Sequence, residues 1–307
     1  MKIQGCDCSI VIKTAHHEFD VPYSEETIRE AVSLLQEEAA IEGDGNRKAI
    51  VKKCGVTGCV VTPITIETAP LLLYLAMGSA GLPVFVSESR DMYRYQLNLL
   101  PLEDTDCFDL IQDRRKSEIN RTFSSEQLTV NSERRLFEGC RVNGFELRIQ
   151  NNEAIKLKLD ICGEHPAMVC PYSERIEREC TTNSGSERFN GDSVSYSING
   201  LENTNIYGLT LVVKKDGGTK TELWIKRVLH NIDLPQNIEE LTITAKLLKD
   251  KYEYRYFGMF RITIKNLILI SDETNVNNAD TVIAPLRYYV SGAVSTEVFS
   301  STEEALP

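Results

Sequence analysis

The chain has 307 residues, of which 42% are hydrophobic and 26% are charged, and its formal net charge is −11. That balance is typical of a soluble globular protein long enough for one large domain or two ordinary ones. The acidic charge and the lack of a basic stripe argue against a protein that grips nucleic acid by its phosphates. No apolar run is long enough to span a bilayer, and the first 14 residues lack the apolar core of a signal peptide. We therefore expect a chain that is made and folded in the cytosol and is not secreted.

A strand, a helix and a strand are predicted at the start of the chain. Residues 8–14 form the first strand. Ser24 then caps a helix, because acidic residues follow it and apolar residues recur at helical spacing until Gly43. Residues 49–66 alternate in the manner of a strand.

A second helix is predicted immediately afterwards. Thr68 caps it, Pro70 lies in its first turn and Gly78 ends it. Its side chains are apolar on every side, so we expect it to be buried on every side, against an open sheet or in a subunit contact. Strands follow at 83–87 and 93–102.

A polar excursion, partly helical, is predicted for residues 103–135, which are rich in charge and poor in apolar periodicity. The Ser-, Asn-, Gly- and Glu-rich stretch 170–193 has the composition of a linker or extended arm. We place the domain boundary there. The predicted organisation is a first β unit at 1–170 that includes the insert 103–135, a linker at 171–193 and a second β unit at 194–300.

The C-terminal half is predicted to be almost entirely strand. The clearest hairpin signal is the turn 216–218, which lies between two alternating segments. Lys214 and Lys215 precede that turn and are interpreted as edge lysines that discourage stray strand pairing. Trp224, the one tryptophan of the chain, is predicted to anchor the core.

One segment occurs twice. Residues 137–149 read FEGCRVNGFELRI, and residues 257–269 read FGMFRITIKNLIL, so that Phe, Arg and Leu recur in the same places without a gap. Each copy is followed by a polar stretch and a second apolar strand. A chain built from two copies of one β unit favours a role in a larger assembly.

The nine cysteines are interpreted mainly as reduced, buried thiols, since none forms a CxxC motif. A zinc site made of Cys6, Cys8, His16 and His17 is the alternative, although its spacing matches no standard site.

Sequence motifs for catalysis or cofactor binding are absent. No glycine-rich nucleotide loop, nucleophile elbow, metalloprotease motif or calcium loop occurs. Cys162 and His165 could be drawn as a dyad, but the end of a strand does not orient them as nucleophile and base. We predict no catalytic, metal-binding or cofactor-binding residue, no cofactor and no enzymatic activity.

The order of the elements resembles that of the tail tube proteins of long-tailed bacteriophages. In that family an early strand and a long loop lead to a strand, a short buried helix and two long strands separated by a polar kink. The corresponding segments here are 8–14, 58–66, 67–78, 141–149 and 155–163, with a sparser second set at 208–215, 260–270 and 284–294. The resemblance covers most of the chain and includes the tubes of type VI secretion. It implies a mainly β fold with two tube-type sandwich or barrel units, one or two short helices and long polar loops.

The function implied by the resemblance is structural. Such subunits close into rings that stack into a conduit for DNA delivery, with six copies per ring, or three if both units line the wall. The implied partners are further copies of the chain and the tape measure, terminator and tail-tip proteins, with DNA passing without specific binding and no membrane. The implied location is the bacterial cytoplasm during assembly and then the virion tail. The loops at 15–23, 43–49 and 103–135 would reach neighbouring rings.

A tail-associated β-sandwich that binds glycan or protein is the alternative function. Clustered exposed aromatic residues would favour it, and the candidates are tyrosines 252, 254, 256, 288 and 289.

Strand alternation also predicts which polar side chains share a face on the wall strands. The set is Arg141, Asn143, Glu146, Arg148, Lys156, Lys158 and Asp160. Because this set is more basic than the chain as a whole, we expect any negative potential of a lumen to come from loops and from strands such as 239–243.

Overall fold

The computed structural model describes residues 8–14, 18–36, 49–87, 92–122, 125–165, 168–172, 187–228, 234–248, 257–272 and 283–300. These residues are mainly β, as predicted, and they contain a single α-helix, α1 (Ala69–Met77). No helix in this part of the chain is long and apolar enough to cross a membrane. The strands, in chain order, are β1 (Cys8–Lys13), β2 (Glu18–Val21), β3 (Glu25–Glu26), β4 (Arg29–Gln36), β5 (Ala49–Pro63), β6 (Gly78–Ala80), β7 (Val84–Ser87), β8 (Met92–Leu99), β9 (Phe108–Thr122), β10 (Ser125–Gln150), β11 (Lys156–Gly163), β12 (Met168–Tyr172), β13 (Val194–Ile198), β14 (Leu201–Asn203), β15 (Ile206–Lys214), β16 (Lys220–Val228), β17 (Asn237–Leu248), β18 (Phe257–Asp272), β19 (Ile283–Val290) and β20 (Val294–Ser300).

The chain forms two compact units, each built from several segments. Unit 1 comprises residues 1–60, 107–141 and 161–179, and unit 2 comprises 61–106, 142–160 and 180–307. Of the five points where the chain passes from one unit to the other, the one between residues 179 and 180 lies in the predicted linker 171–193. Residues 173–186 of that stretch lie outside the described part of the chain.

The end of the predicted linker is part of unit 2. The Phe189 ring is buried and packs edge to face on Phe260, with 5.0 Å between the ring centroids. The Phe189 N–H donates to the carbonyl of Ile64 at 3.0 Å, and its carbonyl accepts from the N–H of Ile155 at 2.8 Å. Residues 187–193 are therefore held by core packing and backbone hydrogen bonds.

Unit 1 contains an antiparallel sheet in the order β2–β1–β9–β10–β12, and β3 and β4 pair with β5. Ile10 and Ile12 of β1 are buried, as the predicted first strand requires. Residues 18–21, which the sequence assigned to a loop, form β2 because they pair with β1 from Ile10↔Val21 to Lys13↔Glu18.

The helix predicted after Ser24 is wrong. This segment forms β3 and β4, and β4 pairs with β5 from Arg29↔Thr57 to Gln36↔Ala49. The apolar spacing of residues 28–35 fits a helix, but the long β5 offers a ladder of backbone hydrogen bonds. That non-local pairing overrides local propensity.

The excursion predicted at residues 103–135 is also wrong for most of its length. β9 and the first part of β10 form a long hairpin that pairs from Ser125↔Thr122 to Leu136↔Ile111. At its base Phe137 lies opposite Leu110, and both side chains are fully buried. The polar composition concealed the hairpin because backbone groups, which every residue carries, make its ladder.

Unit 2 contains a long antiparallel sheet in the order β14–β13–β17–β18–β20–β8. Both β6 and β7 pair with the remaining edge of β8, β6 at one end and β7 at the other. Side chains on one face of this sheet are fully buried, for example Ile243 and Ala245 on β17 and Ile264 on β18. We call it the edge sheet, because its outer strands β7 and β14 form its two edges.

A second sheet of unit 2 shares β18. Its order is β10–β15–β16–β19–β18, using residues 144–150 of β10. Residues 259–264 of β18 pair with β20, whereas residues 267–272 pair with β19. The change of partner occurs at Asn266, whose φ is 54°, and a Cβ on Gly292 of the facing β19–β20 turn would lie 2.5 Å from the Lys265 carbonyl oxygen. The two sheets give unit 2 a sandwich-like architecture.

Helix α1 matches its prediction. Thr68 is its N-cap residue, Pro70 lies in the first turn and Gly78 ends it with a φ of 102°. Every residue from Ala69 to Met77 is buried, and the helix contacts β6, β8 and β20. A helix that is apolar all round is thus enclosed in unit 2.

The repeated segment forms a strand in both places, within β10 and β18. Cys140 and Val142 are buried, and so are Phe260 and Ile262 at the equivalent positions. In both copies the buried–exposed alternation slips by one residue, at 144–145 and at 265–266. The local resemblance of the two strands therefore extends to burial, and duplication of a whole unit remains a prediction.

Candidate functional site

The first candidates for a reactive site are the cysteine and histidine side chains. No group of three or more His, Cys, Asp or Glu side chains able to hold a metal ion occurs among the described residues. Of the alternative zinc ligands, Cys6, His16 and His17 lie outside the described part of the chain, and Cys8 is the first residue of β1. Cys162 is half-buried and His165 is exposed at the end of β11. Burial, assisted by the Asp109 carboxylate, raises the pKa of the nearby Cys140 thiol to about 12, which makes that thiol a poor nucleophile.

Lys215 is a buried cation, so its assignment as an edge lysine is wrong. Lys214 is exposed, but Lys215 is only 2% exposed. Its Nζ donates to the carbonyl of Met77 at the end of α1, at 3.4 Å. Burial lowers the pKa of this amine from 10.5 to about 8. The alternation of β15 continues past Lys214, so the Lys215 side chain points inward.

The outer strand β7 and the loop before it carry four exposed large apolar side chains within five residues. Leu82 in the preceding loop is 88% exposed, and Val84, Phe85 and Val86 are 49%, 44% and 50% exposed. Because successive strand residues point to opposite faces, β7 is apolar on both faces. Its one strand partner among the described residues is β8, so its other edge has no strand partner in this part of the chain.

Charge does not protect this edge. Residues 78–87 read GSAGLPVFVS and contain no charged side chain. Soluble proteins commonly place charges, especially lysines, on exposed strand edges to prevent pairing with other chains. The sequence predicts the strand but not this surface, for which the run of ten uncharged residues was the available signal.

The opposite outer strand of the edge sheet, β14, also carries an exposed apolar residue. Leu201 is 75% exposed and begins β14, which pairs only with β13 in the part of the chain that the structure describes. The turn between these strands places Asn199 and Gly200 at φ values of 50° and 80°. Asn-Gly suits this type of two-residue hairpin, because both central positions require positive φ.

Unit 2 has a second exposed surface, the outer face of the sheet that contains β15, β16 and β19. Trp224 lies on this face, half-buried, with the Arg287 guanidinium 5.0 Å from its ring centroid. The core position predicted for Trp224 is therefore wrong, because its strand neighbours Leu223 and Ile225 point inward instead. Arg287 also forms an ion pair with Glu222 at 2.7 Å.

An apolar patch adjoins the Trp224–Arg287 pair. Ile268 lies directly opposite Tyr289, and these two side chains and Ile270 are about half exposed. Of the tyrosines considered for a binding platform, Tyr288 is fully buried and donates to the carbonyl of Pro235 at 3.0 Å. Tyrosines 252, 254 and 256 lie outside the described residues.

The polar set predicted for the wall strands lies at half-buried or exposed positions of β10 and β11, and two of its four cations form ion pairs within the set. Arg148 pairs with Glu146, and Lys158 pairs with Asp160 at 3.0 Å. A cleft of about 310 Å³ beside the β10–β11 turn has Glu153, Lys156 and further side chains of both signs in its lining. This mixture does not select a ligand of one charge.

The chain matches no protein-family model and no curated protein.

Proposed function

We propose that this chain is a structural subunit of a phage or phage-like tail tube, and that it polymerises as stacked rings to form a conduit for DNA. The observation that carries this proposal is the outer edge of β7, which is apolar on both faces, lacks charge and has no strand partner among the described residues. Such an edge promotes uncontrolled association unless another chain covers it, and a closed ring removes it altogether.

The order of elements around α1 supports the tube assignment within this structural class. A strand leads into a short helix that is buried on every side, and long strands follow it. The partners proposed with this function are further copies of the chain, six or three per ring, and the tape measure, terminator and tail-tip proteins. DNA would pass without specific binding, and the finished assembly would reside in the virion tail after forming in the bacterial cytoplasm.

Self-assembly can be tested with a charge placed on the edge. Val84 lies opposite Arg94 on β8, so in Val84→Glu the new carboxylate faces a cation and the strand pair is retained. We expect the purified wild-type chain to form rings or tubes at high concentration, seen by negative-stain microscopy and light scattering, and Val84→Glu to remain monomeric. Thr219→Glu, in the exposed β15–β16 turn, is the matched control and should assemble as wild type. Wild-type protein that stays monomeric at every concentration would contradict the proposal.

The second candidate is a binding module for glycan or protein. It is favoured by the Trp224–Arg287 pair and the adjacent Tyr289, since aromatic rings with polar neighbours are common at recognition surfaces. Compact monomers that bind a glycan array, with binding lost in Trp224→Ala and retained in Val84→Glu, would favour this function instead.

A further inference from the structure

The two exposed outer strands, β7 and β14, are opposite ends of the same edge sheet. The strand order from one to the other is β7–β8–β20–β18–β17–β13–β14, and all of these strands belong to unit 2. One chain therefore offers two different edges, each bearing an exposed large apolar side chain.

The direction of these strands limits how copies can join. Six antiparallel steps separate β7 from β14, so the two strands run in the same direction. A rotation about an axis along the strands keeps that direction in every copy. A contact between β7 of one copy and β14 of the next would then pair the strands in parallel and could be repeated until a ring closes. A two-fold contact of β7 with β7 would instead be antiparallel and would end at a dimer.

We propose that the occupant of the β7 edge is β14 of a second copy of this chain, paired in parallel, so that the edge sheets of successive copies form one continuous sheet. This inference rests on the proposed function and specifies which surfaces make the ring contact. The uncharged β7 segment and the exposed Leu201 supply the apolar part of the contact, and the backbone groups of the two edges supply its hydrogen bonds.

Disulfide cross-linking tests the contact, because neighbouring strands lie about 4.8 Å apart, within the Cα separation that a disulfide spans. Val84→Cys, Leu201→Cys and the double variant are made with Cys107→Ser, since Cys107 is an exposed thiol. Each is assembled at high concentration, oxidised and run on a non-reducing gel, and Cys107→Ser alone provides the blank. Thr219→Cys combined with Val84→Cys is the matched control. Negative-stain microscopy of each sample before oxidation records whether rings form.

The expected result is a ladder of covalent oligomers from the double variant, a covalent dimer from a mixture of the two single variants, and only monomer from either single variant alone. Covalent dimers of Val84→Cys alone would show a two-fold contact and overturn the proposal. Rings without a Val84–Leu201 link would overturn the edge assignment and leave the tube function standing. Monomers at every concentration would overturn both.

Strand direction is tested by adding Val86→Cys and Asn203→Cys. Parallel pairing predicts that the pairs 84–201 and 86–203 link together. Linkage of both 84–203 and 86–201 would show antiparallel strands and overturn the parallel contact.

Discussion

Helix α1 and strand β7 are near neighbours in the chain and both are apolar, but they differ in burial within unit 2. Every side chain of α1 is buried, whereas those of Val84, Phe85 and Val86 are about half exposed. The amino-acid compositions of the two segments do not explain this difference in burial. The helix lies against β8 and β20 within the unit, while β7 is the last strand of its sheet. Apolar sequence is therefore used here for two purposes: to hold the unit together and, in our proposal, to join one copy to the next.

Truncating a leucine in each region should give the largest contrast. Leu72 on α1 is fully buried, so Leu72→Ala should lower the free energy of unfolding by about 2–5 kcal/mol. Leu82→Ala, at the exposed end of the same sequence region, should change it by less than about 0.5 kcal/mol. Chemical denaturation of the monomer measures both values. Equal losses would show that the β7 segment is packed within the monomer and would remove the contrast.

The buried amine of Lys215, which donates to the carbonyl of the last residue of α1, should give the next largest effect. The pKa of Lys215 is about 8 in the folded protein and 10.5 when unperturbed, so burial disfavours the charged form by on the order of 3 kcal/mol. Lys215→Met should therefore raise the free energy of unfolding below pH 8. The Met77 carbonyl keeps a partner in this variant, because it also accepts from the N–H of Leu100 at 2.8 Å.

The pH dependence of that gain has a defined sign. Between pH 8 and 10.5 the unfolded chain retains the Lys215 proton and the folded chain releases it, so wild-type stability from this group rises with pH. The advantage of Lys215→Met should be largest below pH 8 and should disappear above pH 10.5. Parallel denaturation curves of both proteins across this range measure it, and a difference that is constant with pH would contradict the burial argument.

A smaller effect is expected at the one hydroxyl of α1. The Tyr74 hydroxyl donates to the exposed Asp106 carboxylate, and burial raises the pKa of Tyr74 above its usual value. Tyr74→Phe keeps the ring packed and removes the hydrogen bond, so it should lower the free energy of unfolding by about 1–2 kcal/mol at pH 7. Asp106→Asn serves as the reciprocal variant. A loss as large as that of Leu72→Ala would show that the ring itself had moved.

The boundaries of α1 could be predicted because local signals agreed with its tertiary setting. Thr68, Pro70 and Gly78 mark its ends, and continuous apolarity indicated full burial. The segment after Ser24 carried equally good helical signals and became a strand, because pairing with β5 supplies backbone hydrogen bonds that local signals do not report. The β9–β10 hairpin escaped prediction for a related reason: pairing energy resides in backbone groups that composition does not report.

The candidate surfaces were harder to foresee than the fold. Whether Trp224 or Leu223 points to the core depends on the phase of a single strand, and alternation alone leaves that phase open. Likewise, an apolar run such as residues 82–86 predicts a strand but not its place in the sheet order. That place depends on long-range pairing, which decided that β7 is an outer strand and β20 an inner one.

Strand β18 has a mechanical consequence. It is paired along one edge with β17 and along the other first with β20 and then with β19. A pulling force along this strand would load the hydrogen bonds of both ladders in shear, so that many must break together instead of opening one after another like a zipper. A tension acting along the strands of unit 2 would thus be resisted by both sheets at once at this strand.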